Sequence, residues 1–130
     1  MARGAILGLD ILPGESPERG DARYAASILV GGEVVKRLEV RRSELPSIFD
    51  RYRVEMVAVD NIYELGASKE DIAELLTRSV RIPRLVQVNV IGGKEYGIAE
   101  LAESLGLSEG GKLSPSKTSE VAARLAYLGI

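Results

Sequence analysis

Cysteine and histidine are both absent from the 130-residue sequence. Without cysteine there is no disulfide framework and no thiolate metal site, and a zinc finger is excluded. Without histidine there is no Ser-His or Cys-His dyad and no imidazole general base. Any chemistry must therefore use carboxylates, lysine, arginine, tyrosine or hydroxyls. Aromatic residues make up only 5% of the chain and do not interleave with basic ones, which argues against a stacking platform for single strands. No apolar run approaches the ~20 residues that span a bilayer. The opening "MARGAIL" is a short apolar segment that ends in Asp10, a strand and not a secretory signal, so a cytoplasmic protein is expected. The net charge of −2 leaves no global basic field, and a nucleic-acid partner would need a local patch. Glutamine and asparagine are scarce and arginine outnumbers lysine, a composition that points weakly to a thermophilic source.

What is present is the composition of a packed domain: 45% hydrophobic and 28% charged residues. The length suits a single domain over residues 1–130. Ile6 to Leu12 reads as a buried strand, and "PGESPERGDAR" as the loop after it. Tyr24–Val30 and Glu33–Val40 flank Gly31-Gly32 and form a hairpin. "SELPSIFDRY" reads as a short helix with Ser43 as N-cap and Pro46 in its first turn. Met56 to Asp60 follows as a strand, and Ser68 with Asp71 frames the start of a helix through "KEDIAELLTRS". A strand over Arg84–Val90, a helix through "GIAELAESLGL" stopped by Gly106, and a helix from Ser114-Pro115 to Gly129 complete the order β-β-β-α-β-α-β-α-α. A hairpin followed by helical crossovers implies a mixed sheet, with the crossover strands parallel and helices on both faces.

Two of these strands end on an aspartate. "AILGLD" stops at Asp10 and "MVAVD" at Asp60. Ligand sites in crossover sheets form at the carboxyl ends of parallel strands. If the two strands are neighbours they lie about 4.8 Å apart, and two ionised carboxylates at that distance repel by about 3 kcal/mol at an effective dielectric near 20. Either one holds a proton or a cation sits between them; with only oxygen ligands the cation is hard, Mg²⁺ or Mn²⁺. The alternative is that each aspartate merely forms a turn or caps a helix. Glu120 is the third candidate, at the edge of the stripe Val121, Ala122, Leu125 and Leu128 on the last helix. Its alternative is a surface pair with Arg124 at i+4 or Lys117 at i−3.

"LDILPG", "AVDNIYEL" and "KTSEVAARLA" together resemble the RNase H-like superfamily, in particular its Holliday-junction resolvase branch of the RuvC and YqgF types, and an archaeal family of RNase H-like nucleases beside it. The resemblance covers nearly the whole chain. It implies a five-stranded sheet ordered 3-2-1-4-5, with the first and fourth strands adjacent. It implies two-metal hydrolysis of phosphodiesters in structured DNA or RNA or in a hybrid, with Asp10 bridging the ions, Asp60 on one and Glu120 on the other. Resolvases cut two strands, which leaves a homodimer open. The sequence departs from this pattern at Lys117, where resolvases of this type carry a fourth acid one helical turn before the third. That departure favours the alternative of an interaction module that kept the fold and lost turnover.

Other signals are weaker. "GLSEGGKL" fails the phosphate-loop pattern, because Leu113 replaces its hydroxyl residue and a helix precedes it. As a glycine-rich loop it would bring Lys112 and Lys117 near a phosphate backbone. With Arg124, these are the candidate nucleic-acid contacts. Basic runs such as "KRLEVRR" and "TRSVRIPR" are either phosphate contacts or solvated faces. Lys36 and Arg37 would guard an edge strand.

Overall fold

The computed structural model describes residues 4–129. Five strands form one sheet in the order β3-β2-β1-β4-β5: β1 (Ala5–Ile11), β2 (Arg23–Val30), β3 (Glu33–Arg41), β4 (Val54–Val59) and β5 (Arg84–Gln87). β1 is antiparallel to β2 and β2 to β3, whereas β1, β4 and β5 run parallel. This is the expected 3-2-1-4-5 order.

Side-chain alternation divides the sheet into two cores. Leu7, Leu9, Val57, Val59, Ala26 and Ile28 face α1 (Leu45–Arg51) and α2 (Lys69–Thr77), which bury Phe49, Ile72 and Leu75 against them. Ile6, Met56, Ala58 and Val86 face α3 (Ile98–Ser104) and α4 (Pro115–Leu128), which supply Ala102, Val121, Ala122 and Leu125. Helices thus cover both faces. Among the described residues no helix is long and apolar enough to cross a membrane.

The expected caps form at two helices. Ser68 accepts the Asp71 N–H at the start of α2, and Ser114 accepts the Lys117 N–H at the start of α4. Gly129 closes α4 with a φ of 77°. Ser43 does not cap α1. It sits in a 3-10 turn, Arg42–Glu44, where Asp21 accepts both its N–H and its hydroxyl, and α1 begins at Leu45 with Pro46 in its first turn.

The strand expected through Val90 ends at Gln87. Asn89 turns the chain there: its Nδ2 donates to the Tyr96 carbonyl, and its own carbonyl accepts the Tyr96 N–H. Beyond it lies a small hairpin, β6 (Val90–Ile91) and β7 (Lys94–Glu95), turned by Gly92 and Gly93 at φ 61° and 79°. The strands flanking this Gly-Gly pair are too short to stand out by periodicity.

α4 lies across β1, β2 and β4. It approaches β1 so closely at Gly8 that a Cβ there would stand 1.8 Å from the Ser119 carbonyl oxygen. On the adjacent strand Ser27 is also small, and its hydroxyl lies 2.7 Å from that of Ser119, both fully buried. A Gly8→Ala substitution is expected to push α4 off the sheet. The cost should reach or exceed the ~1–3 kcal/mol typical of overpacking, because the obstacle is backbone. Urea unfolding midpoints measure it, and an unchanged midpoint would contradict the packing described.

Candidate metal centre

Asp10 lies near the end of β1 and Asp60 immediately after β4. Because Gly8 is in register with Ala58, both aspartates come to the same end of the sheet. By alternation Asp10 shares the face of Gly8, the face that α4 covers.

A third acid joins them. After Asp60 the chain enters a 3-10 turn, Ile62–Glu64, begun by Asn61, whose side chain accepts the Tyr63 N–H at 3.0 Å. The Gln87 side chain accepts the Ile62 N–H at 3.2 Å. The buried Tyr24 hydroxyl donates to the Glu64 carbonyl at 2.5 Å, and the Glu64 carboxylate accepts the Ile11 N–H at 2.9 Å. The turn is therefore held from three strands, and Glu64 is drawn back beside Asp10. Asp10, Asp60 and Glu64 each offer an oxygen within 4.8 Å of the others, and all three are half-buried.

The electrostatics follow from this crowding. Burial, and then the Asp60 charge, push the Asp10 carboxyl up to about 7. Burial also raises Glu64 strongly, and a hydrogen bond shared with Asp60 adds to the rise, against the Ile11 N–H that favours its charged form. Without a cation, protons must hold the group together. Asp60 Oδ1 is buried and has no hydrogen-bond partner among the described residues. A bare, buried carboxylate oxygen is costly unless something accepts its lone pairs. Three carboxylates, in a chain without histidine or cysteine, make a hard oxygen donor set that suits Mg²⁺ or Mn²⁺.

Glu120 is not part of this group. Its side chain is only 8% exposed and is held by Arg37 Nη2 at 2.5 Å, Arg124 Nε at 3.1 Å and Lys117 Nζ at 3.3 Å. Burial, the largest influence, raises the Glu120 carboxyl, but the hydrogen bonds from Arg37, Arg124 and Lys117 outweigh it and bring it down to about 2. Both helical pairs open to it in the sequence, with Arg124 and Lys117, therefore form. They are part-buried, since the Glu120 carboxylate is buried while the Lys117 and Arg124 side chains stay partly exposed, and a third cation arrives from β3. Lys112 lies exposed in the loop between α3 and α4. Glu64 carries a sequence signal only in hindsight: an acid four residues after Asp60, in a segment with no strand or helix periodicity.

The architecture has a known counterpart. A Thermus thermophilus RuvC structure aligns over 96% of this chain and 94% of its own, with a TM-score of 0.50 and 17% identity. At that identity the likeness shows the fold, a mixed five-stranded RNase H-like sheet with helices. No family model matches the sequence, and no curated protein matches it either.

The raised Asp10 carboxyl has a definite consequence for stability. The ordinary value is 3.8, so the folded protein keeps this proton to a higher pH than the unfolded chain does. Its contribution to stability is complete below about 4 and is lost as pH rises through about 7. A divalent ion held by the three carboxylates would replace the proton. Mn²⁺ should therefore raise the melting temperature more at pH 8 than at pH 5, and the metal-free Asp10→Asn variant should lose the part of the decline that runs through about 7, keeping the part that the raised Glu64 carboxyl contributes at higher pH. Equal Mn²⁺ shifts at both pH values would contradict the arrangement.

Proposed function

We propose that the chain is a divalent-metal-dependent nuclease acting on structured nucleic acid, a junction or a hybrid. The observation that carries this reading is the convergence of Asp10, Asp60 and Glu64, with one buried Asp60 oxygen lacking a partner, at the carboxyl ends of adjacent parallel strands. The RuvC-like fold supports it. So do the segments "LDILPG", "AVDNIYEL" and "KTSEVAARLA", which we read as those of the archaeal branch. On this reading the protein is cytoplasmic, its partner is DNA or RNA, and a homodimer would supply two sites for two strands.

In this proposal Asp10, Asp60 and Glu64 hold the ion, and Glu64 takes the place that the resemblance implied for Glu120. The ion would supply Lewis-acid activation of water and phosphate. The chain supplies position. The Ile11 N–H and the Tyr24 hydroxyl fix Glu64 from two strands, and the Gln87 amide fixes the turn that carries it. Asp10 stands on β1, a central strand, and so has little freedom to move. No histidine is required, because the carboxylates do not themselves have to generate a nucleophile near neutral pH.

A second reading, a fold kept for binding without turnover, is favoured by one observation: Glu120 on α4 is neutralised by Arg37, Lys117 and Arg124 and does not face the acids. One experiment separates the two. Four-way-junction DNA and RNA/DNA hybrids are incubated with the wild type, Asp10→Asn and Glu64→Gln, with Mg²⁺ or Mn²⁺ and with EDTA. The nuclease reading expects metal-dependent cleavage that falls at least about 10–100-fold in each variant, since even the outer partners of metal ligands cost that much. Binding without cleavage by the wild type would establish the second reading, and equal cleavage by all three proteins would point to a contaminant.

A further inference from the structure

Three cations converge on the single Glu120 carboxylate. Like charges gathered this closely around one counter-charge leave a local excess of two positive charges, a stable arrangement only when another anion or bulk water completes it. None of the three is sealed in: the side chains of Arg37, Lys117 and Arg124 remain 54%, 40% and 33% exposed. Beside them a cleft of about 420 Å³ is lined by Ala25, Arg37, Leu38, Glu39, Ser114 and Ser116, among others. That volume falls within the roughly 300–1,000 Å³ of small-ligand clefts. Ala25 is the ladder partner of Asp10, so the cleft opens one strand, about 5 Å, from the acid group. Glu39 also lines it, two residues along β3 from Arg37, and is drawn toward Arg23 at 3.8 Å, which leaves Arg37 as the lining charge that suits an anion.

We propose that this cleft binds a phosphodiester of the nucleic-acid strand next to the cleavage position, with Arg37, which lines it, and Lys117, which flanks it beyond Ser116, as cationic contacts and Glu120 as the residue that positions them. The proposal rests on the reading above for the identity of the strand. The occupant follows from the charge excess, the neighbouring acid group and the mixed walls, polar at Ser114 and Ser116 and apolar at Leu12 and Ala25, which suit a sugar beside its phosphate. Glu120 acts here through other side chains and is not a catalytic residue. Its burial at 6% exposure and its three bonds fix Arg37 from β3 and Lys117 from α4 on one locus, although the two lie on separate elements.

The test is binding of fluorescently labelled four-way-junction DNA in EDTA, over a range of salt concentrations, so that catalysis plays no part. Arg37→Ala is expected to bind several-fold more weakly, with a salt slope lower by about one. Lys36→Ala makes the same charge change on the opposite face of β3, where Lys36 lies over the Tyr52 ring, and should leave affinity close to the wild type. Glu120→Gln separates positioning from simple attraction. It removes one negative charge, so a purely electrostatic role would tighten binding, whereas loss of the anchor should weaken it. Circular dichroism checks that this variant is folded, and Arg37→Ala, at an exposed edge-strand position, carries the test if it is not. Affinity and salt slope unchanged in Arg37→Ala, or tighter binding by Glu120→Gln, would overturn the proposal, as would a wild type that binds no nucleic acid. A wild type that binds through Arg37 and Glu120 but never cleaves would leave this site standing and remove the nuclease reading.

Discussion

Parallel pairing of β1 with β4 is the constraint from which the rest of the molecule follows. In that register the two strands carry Asp10 and Asp60 to the same end of the sheet. The ladder spacing gives them no means of separating, and repulsion between adjacent partly buried carboxylates is worth a few kcal/mol. The fold does not relieve this by moving either residue outward. It adds a third acid, Glu64, and fixes it with the Ile11 N–H and the Tyr24 hydroxyl. An arrangement that concentrates negative charge, and spends hydrogen bonds on doing so, makes structural sense when a cation is the missing partner. The cost is compatible with stability because β1 is paired on both sides and each face of the sheet packs against a hydrophobic cluster.

The close approach of α4 to β1 has a second effect. With Gly8, Ser27 and Ser119 at the contact, the helix lies low on the sheet and its first turns stand beside the acid end. Glu120 is thereby buried, but against β3, where Arg37 reaches it across 83 residues of sequence. Negative charge collects at the ends of β1 and β4, and positive charge collects one to two strands away. A surface divided in this way sets an acidic group and a basic cluster side by side, the pairing that the proposed phosphodiester chain would meet.

The mixed character of the sheet was legible in local signals, since Gly31-Gly32 marks the hairpin and strands joined by helices pair in parallel; the strand order was legible only through the family resemblance. Asp10 and Asp60 were legible for a related reason, since each terminates an apolar run whose direction the topology sets. Glu64 was not. It lies in an irregular turn, where spacing says nothing about where a side chain points, and its position depends on Tyr24, Ile11 and Gln87 from three strands. For Glu120 the sequence showed the helical neighbours Lys117 and Arg124 but not Arg37, whose arrival depends on how β3 pairs with β2. The hairpin at Gly92-Gly93 was hidden because an alternating pattern, "VQVNV", ran through the point where Asn89 turns the chain.

The most direct measurement of the central claim is calorimetric titration of Mn²⁺ into the metal-free protein, its Asp60→Asn variant and its Glu120→Gln variant. The account expects a specific site in the wild type, abolished in Asp60→Asn and preserved in Glu120→Gln. Binding that survives loss of Asp60, or that disappears with Glu120, would contradict it.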